Sequence, residues 1–145
     1  MKKVVTVTLG SSKQDFEFKT EFLGQSFSVR RMGADQDTGK AWELMRRQQA
    51  TADAIGLGEI SDHYHVGLRT VVNKETQRLT NVVTRVPVTT GATLRRLLQV
   101  RAVRYVQKEL GHYFNNNLVL FLSGMRNYDM AVAMSDYTKN LSFAD

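Results

Sequence analysis

The residues with the clearest chemical potential lie at the end of the 145-residue sequence. Six of them form the predicted cofactor-binding site: Ser123, Gly124, Met125, Arg126, Asn127 and Asp145. In a dinucleotide-binding βαβ unit, the turn after the first strand directs backbone N–H groups and a helix N-terminus toward a pyrophosphate. An acid about 20 residues later accepts hydrogen bonds from ribose hydroxyls, and Asp145 follows Gly124 by 21 positions.

The glycine pattern of this turn is incomplete, since one glycine stands where the motif has three. Without a second glycine the close approach of a pyrophosphate is hindered, and Arg126 would compensate by pairing with a phosphate. The alternative is a plain parallel βαβ unit without a ligand, and the motif alone slightly favours that alternative.

A second candidate site is Thr89, Thr90 and Gly91, which precede the clearest predicted helix. Two hydroxyls and a glycine at a helix start suit an N-cap together with contact to an anion or a hydroxyl group. Simple capping is the alternative, and it is favoured by this feature alone. The segment lies where a substrate domain would lead into a cofactor domain, so we predict these three residues to be substrate-binding.

No metal site and no catalytic residue is predicted. Asp62, His63, His65 and His112 are the residue types of a zinc site, but their spacing matches no metal signature. The sequence has no cysteine, no serine in the context of a nucleophile elbow and no recognisable pair of carboxylates for acid–base catalysis. The catalytic residues therefore stay unknown at this stage.

The positive charge of the chain is concentrated in its centre. The segment Arg69–Lys108 has nine Lys or Arg residues and one acid, a net charge of +8, whereas the whole chain carries +6. Such a segment attracts phosphate, in a cofactor or in nucleic acid. We do not expect nucleic acid as a partner, because a solvated helix face explains Arg101, Arg104 and Lys108 more simply.

Short motifs predict individual elements of the chain. Apolar and polar residues alternate from Phe16 to Arg30 around a turn at Gly24-Gln25, which indicates a β-hairpin. Asp37 and Asn73 are the predicted N-caps of two helices, and residues 65–72 are a further candidate strand.

The pattern of elements predicts an α/β fold in two parts. Residues 1–90 are an N-terminal α/β domain of the substrate type, and residues 91–145 are a linker helix followed by the first βαβ of a Rossmann-like, dinucleotide-binding sheet. The apolar run Leu118–Leu122 predicts a central strand buried on both faces. The helix from Gly91 to Leu110 is expected to bury Leu94, Leu98, Val103, Val106 and Leu110.

No segment has the length and hydrophobicity of a membrane span or a signal peptide. The absence of cysteine fits a reducing compartment. We therefore expect a cytoplasmic protein that makes no contact with a membrane.

Short segments along the chain resemble the bacterial proteins described as quinate/shikimate 5-dehydrogenase-like. They are Val7–Lys13, Ala54–Gly58, Leu120–Gly124 and Met130-Ala131. The resemblance implies a nicotinamide dinucleotide, NAD or NADP, and a small-molecule substrate. Two features depart from the true dehydrogenases, which use a catalytic lysine and aspartate. The loop at Thr89 lacks the family's aspartate, and no segment of the chain supplies the catalytic lysine. The usual Lys/Asp dyad is therefore not assigned.

The resulting expectation is the N-terminal portion of a nicotinamide-dependent oxidoreductase, an NAD(P)-dependent dehydrogenase fragment that is inactive as it stands. A C-terminal domain, or a second copy in a homo-oligomer, would complete the nucleotide-binding sheet. The alternative function is a non-catalytic α/β module that binds anionic ligands or nucleic acid through Arg69–Lys108. A structural or assembly protein is a further rival.

Overall fold

The computed structural model describes residues 1–66 and 69–145, with the side chains of residues 65 and 66 left out. The elements follow in chain order: β1 (Lys2–Thr8), a 3-10 turn (Ser12–Gln14), β2 (Phe16–Phe22), β3 (Gln25–Gly33), α1 (Thr38–Gln48), β4 (Ala54–Gly58), β5 (His63–Val66), β6 (Arg69–Val72), α2 (Lys74–Asn81), β7 (Val88–Thr89), α3 (Ala92–Glu109), β8 (Val119–Phe121), α4 (Tyr128–Met134) and β9 (Leu141–Phe143). The predicted α/β class is confirmed.

The chain divides into two compact units. The first unit comprises Met1–Asp62 and Val72–Gly91, and the second comprises His63–Val71 and Ala92–Asp145. The strand predicted over 65–72 includes residues 67 and 68, which lie outside the described part of the chain. On either side of them, β5 and β6 form a two-stranded sheet.

A five-stranded sheet in the order β2-β3-β1-β4-β7 forms the first unit. Strand β1 runs parallel to both β3 and β4, β7 runs parallel to β4, and β2 pairs antiparallel with β3 in the predicted hairpin. The side chains of Val7 and Ile55 are fully buried beneath α1 and α2 residues such as Met45 and Leu79. Burial of this apolar surface is the main stabilising contribution to the unit.

Both helices of the first unit begin at the predicted side-chain caps. The carboxylate of Asp37 accepts a hydrogen bond from the backbone N–H of Lys40 at 2.9 Å. The amide oxygen of Asn73 accepts from the N–H groups of Glu75 and Thr76 at 3.0 and 3.3 Å. These bonds satisfy N–H groups that have no partner within the helix, so they fix where each helix starts.

The second unit contains the predicted βαβ arrangement. Strands β8 and β9 pair in parallel, with Val119 opposite Leu141 and Phe121 opposite Phe143. Helix α4 connects the two strands, and its neighbour α3 packs against it. The core of this unit comprises Val103, Phe121, Ala131, Ala133 and Met134.

The prediction of a central strand at Leu118–Leu122 is wrong. Among the described residues β8 pairs only with β9, and the side chains of Leu118 and Leu122 are 88 % and 80 % exposed. The run is apolar throughout, but the short strand turns only Phe121 fully into the core. A continuous apolar run thus does not by itself establish a strand covered on both faces.

The buried face of α3 also differs from the prediction. Leu94, Leu98 and Leu110 are exposed, whereas Val103 and Gln107 are buried. The physical reason is that α3 packs against α4, a helix of seven residues, which covers only a narrow stripe of it. The apolar half of the helical wheel is wider than the surface available to bury it.

Candidate functional site

A pocket of about 390 Å³ lies within the first unit, where β4 and β7 end. It is lined by Asp62, Val72, Thr76, Gln77, Thr80, Val88, Thr89 and Thr90. Because β4 and β7 are parallel neighbours, with Gly56 opposite Thr89, the segments after both strands emerge at the same edge of the sheet. Ligands of open α/β sheets bind at this edge.

Helix α2 supplies the remaining wall of the pocket. The helix starts after the Asn73 cap, and Thr76 and Thr80, four residues apart, lie on one face of it. Thr76 is fully buried, and its hydroxyl donates to the carbonyl oxygen of Ser61 at 2.7 Å. This bond ties α2 to the segment that follows β4.

Two of the predicted substrate-binding residues line this pocket. The hydroxyl of Thr90 donates to Oδ2 of Asp62 at 3.2 Å, and Thr89 contributes a further hydroxyl. Gly91 does not line the pocket; its N–H donates to Oγ1 of Thr89 at 3.2 Å, and its φ of 70° suits a glycine. Of the described residues that form the lining, Asp62 alone carries a charge.

The part that α2 plays in the pocket was not predicted from the sequence. The sequence indicates a metal-ligating residue type at Asp62 and a helix cap at Asn73. It gives no sign that either residue lies near Thr89 in the fold. The available signal was the spacing of the threonines. A cap at Asn73 predicts a helix, and in a helix Thr76 and Thr80, four residues apart, share a face.

A cluster of ion pairs lies at the same sheet edge, beyond β1 and β3. The guanidinium of Arg31 donates to the carbonyl oxygen of Ser11 at 2.9 Å and to the carboxylates of Asp15 and Glu59 at 3.2 and 3.0 Å. The Arg31 side chain is only 12 % exposed. It therefore holds together the loops that follow β1 and β4. Its N–H groups are engaged in these structural contacts.

The loop after β3 is fixed in a similar way. Asp35 accepts from the N–H of Ser12 at 2.7 Å and pairs with the ammonium of Lys40 at 2.6 Å. The hydrogen bond from Lys40, followed by the bonds from Ser12, holds the pKa of Asp35 far below its ordinary range. Asp35 and Gln36 both have positive φ, a conformation that costs free energy outside glycine and is maintained by these contacts.

The predicted cofactor residues of the second unit do come together around the turn after β8. The Asp145 carboxylate accepts from the N–H of Gly124 at 2.7 Å, from the Ser123 hydroxyl at 3.0 Å and from the N–H of Met125 at 3.3 Å. These bonds, led by that of Gly124, lower the pKa of Asp145. The carboxylate thus accepts from the donors that a phosphate would need.

As arranged here, the turn does not fit a pyrophosphate. Besides the donors engaged by Asp145, the open side of Gly124 is filled by the ring of Phe143. The Asn127 amide donates to the carbonyl oxygen of Ser123 at 2.8 Å and accepts from Gln99 at 3.1 Å. Arg126 is exposed. Dinucleotide binding by this turn stays a prediction that requires Asp145 to release Gly124.

A second pocket, of about 580 Å³, lies within the second unit. It is lined by Arg104, Gln107, Lys108, Gly111, His112, Asn115, Asp136 and Tyr137. Gln107 shapes it, since its side chain donates to Asn115 at 2.6 Å and accepts from the N–H of Phe114 at 2.9 Å. Arg104 and Lys108 give this pocket more positive than negative charge.

Neither a metal site nor a membrane span is found in the described ranges. No group of three or more His, Cys, Asp or Glu residues is arranged to hold a metal ion there. The side chain of His65, one of the zinc-type residues, lies outside the described part. Within residues 1–66 and 69–145, none of the helices has the length and apolar character to cross a bilayer.

Comparisons with known proteins assign no activity. A family model described as Domain of unknown function (DUF8753) matches residues 3–90, and one described as Domain of unknown function (DUF8754) matches residues 93–145. No curated protein matches the sequence. Among solved structures, the catalytic subunit of M. jannaschii aspartate transcarbamoylase is similar with a TM-score of 0.43 and 14 % identity. That match covers 98 % of this chain and 46 % of the transcarbamoylase chain.

Proposed function

The chain belongs to the family described as Domain of unknown function (DUF8753), and we propose that its first unit binds a small hydroxylated molecule beside Asp62 and Thr90. The observation that carries the proposal is a pocket at the carboxyl ends of two parallel strands, lined by four threonine hydroxyls, one amide and one carboxylate. Hydroxyl and amide groups both donate and accept hydrogen bonds, so they match the hydroxyls of a polyol.

The charge of the lining narrows the ligand class. Asp62 is the one charged side chain of the described lining, and it is negative, so it would repel a ligand carboxylate. A neutral polyol or an amine-bearing sugar avoids this repulsion. The ligand that we propose is therefore a neutral or amine-bearing polyol.

An oxidoreductase reaction remains part of the proposal through the resemblance to quinate/shikimate dehydrogenases. NAD or NADP, when bound, would supply the chemistry of hydride transfer. This chain contributes the hydroxyl and carboxylate groups that orient the polyol. We derive no catalytic step, because the turn at Gly124 does not fit a pyrophosphate as it stands.

Calorimetric titration of the protein with inositol, glucosamine and quinate tests the ligand class. We expect heat of binding from the first two probes and a weaker response to quinate. Thr90→Val removes one lining hydroxyl while preserving shape, and it should weaken binding by roughly 5- to 10-fold, the effect of one neutral hydrogen bond. Thr84→Val is the matched control, because Thr84 is exposed and outside the pocket.

Equal affinity for quinate and inositol would contradict the charge argument, and unchanged binding in Thr90→Val would contradict the site. The variant fold is checked by circular dichroism, so that loss of binding is separated from loss of structure.

A second candidate function is anion binding by the second unit, the non-catalytic alternative predicted from the basic segment. The pocket beside Arg104 and Lys108 favours it, because two cations face one concave surface. Binding of inorganic phosphate should weaken as salt rises, and binding of an oligonucleotide should fall log-linearly with salt if the segment contacts a nucleic-acid backbone. Salt-independent polyol binding would instead favour the first candidate.

A further inference from the structure

Strand β2 forms one edge of the five-stranded sheet, and all seven of its residues are exposed. It pairs with β3 along its whole length, from Phe16 opposite Arg31 to Phe22 opposite Gln25. The strand contains neither a proline nor a bulge in this register. A long, regular edge of this kind is a template for pairing with another strand.

The hairpin turn fixes which backbone groups of β2 face outward. Leu23 and Gly24 form a two-residue loop, and both residues have a positive φ. In such a hairpin the residues that flank the loop form a hydrogen-bonded pair, so Phe22 and the residues alternating with it bond to β3. The N–H and C=O groups of Glu17, Lys19 and Glu21 consequently point to the open edge.

The side chains of β2 alternate in the same way. Phe16, Phe18 and Phe22 lie on one face of the strand and are each about half exposed or more, at 49 %, 48 % and 66 %. Charged residues occupy the opposite face. An exposed aromatic row beside unpaired backbone groups indicates a surface that another strand can cover.

The charges select a second copy of β2 as that strand. In an antiparallel pair centred on Thr20, Lys19 of each copy stands opposite Glu21 of the other, in hydrogen-bonded positions. The same register places Phe18 opposite Phe22 twice. Opposite charges and aromatic pairs directly across from each other each stabilise a sheet.

Two other registers are less favourable. Centring on Lys19 places that residue opposite itself and Glu17 opposite Glu21, which are like charges. Centring on Phe18 places Glu21 opposite Asp15, which are like charges. The same register pairs Lys19 with Glu17, but Glu17 already contacts Arg30 at 3.9 Å. By contrast, in the described part of the chain neither Lys19 nor Glu21 has an ion-pair partner within 4.0 Å.

We propose that two copies of the chain associate through β2, antiparallel and centred on Thr20, which joins their five-stranded sheets into one of ten strands. The Lys19–Glu21 pairs set the register, and the Phe18–Phe22 contacts supply apolar burial. This interface is independent of the polyol pocket, whose lining contains no residue of β2.

Charge reversal tests the register. In Lys19→Glu, and equally in Glu21→Lys, like charges face each other in both symmetry-related pairs, and we expect dimerisation to weaken by roughly tenfold or more. The double variant Lys19→Glu/Glu21→Lys restores opposite charges and should restore the dimer. Sedimentation equilibrium measures the association constant of each protein.

A cysteine placed on the two-fold axis tests the geometry directly. The chain has no cysteine, and residues at non-hydrogen-bonded antiparallel positions lie close enough for a disulfide. Thr20→Cys should therefore form a covalent dimer under mild oxidation, whereas the exposed control Thr84→Cys should not. A monomeric wild-type protein at high concentration, or a double variant as weak as the single ones, would overturn the proposal.

Discussion

The ring of Phe143 lies directly against Gly124, so that a Cβ atom at position 124 would be 2.5 Å from Cδ1 of Phe143. That ring is itself stacked on Phe121, with centroids 5.5 Å apart. Gly124 is therefore required for the close packing of β9 against the turn after β8. A glycine at this position is thus explained by packing alone, without a nucleotide.

Gly124→Ala should destabilise the second unit by about 1–3 kcal/mol, because the added methyl group must displace the Phe143 ring. The same substitution in a Phe143→Ala background should cost much less, since the space is then open. Urea unfolding of the four proteins in this cycle measures the coupling. An equal cost in both backgrounds would show that the Phe143 ring is not what excludes a side chain at position 124.

The stability of the first unit should depend on pH through Asp53. Its carboxylate accepts from the N–H of Lys3 at 2.7 Å, and this bond, with a smaller contribution from Lys2, lowers the pKa of Asp53 below the ordinary 3.8. A depressed pKa in the folded state stabilises the fold above the unfolded pKa, and this contribution is lost as pH falls through the folded pKa.

The stability advantage of the wild type over Asp53→Asn should accordingly be largest above pH 4 and should shrink in more acidic solution. Urea titrations between about pH 6 and pH 3 follow the difference. A constant difference across that range would mean that the Asp53 carboxylate titrates alike in the folded and unfolded chains.

The two helices of the second unit offer a direct test of which face is buried. Leu98 is 57 % exposed, so Leu98→Ala should change the free energy of unfolding by about 0.5 kcal/mol or less. Met134 belongs to the core, and Met134→Ala should cost about 2–5 kcal/mol. The helical periodicity predicts that Leu98 lies in the core, and a large loss of stability in Leu98→Ala would favour that prediction.

Arg104→Glu should leave stability within about 0.5 kcal/mol of the wild type, because Arg104 is exposed and no acid of the described chain lies within ion-pair distance. The same change removes a cation from the pocket of the second unit, so phosphate binding there should weaken. Thermal unfolding and a phosphate titration separate the two effects. A marked loss of stability would reveal a buried partner of Arg104.

The sequence predicted the local elements well, because their signals are local. Asp37 and Asn73 cap helices through atoms two or three residues away, and the alternation from Phe16 to Arg30 defines a hairpin without reference to the rest of the chain. The parallel pairing of β8 and β9 was also predicted, from the order of strand, helix and strand.

Burial was predicted less well, because it depends on what lies opposite. Leu120 and Leu98 have the hydrophobicity of core residues, but β8 has one neighbouring strand in the described chain and α3 packs on a short helix. The lining of the first pocket shows the same limit. Thr89 and Thr90 are adjacent in sequence, whereas Asp62 reaches them through the pairing of β4 with β7, and Thr76 through the packing of α2.

The path of the chain between the two units has a practical consequence. It leaves the first unit after Asp62, returns at Val72 and leaves again after Gly91. A chain shortened to its first 90 residues would still carry His63–Val71, which belongs to the second unit. Separating the units cleanly therefore requires replacing His63–Val71 by a short polar turn as well as cutting near Gly91.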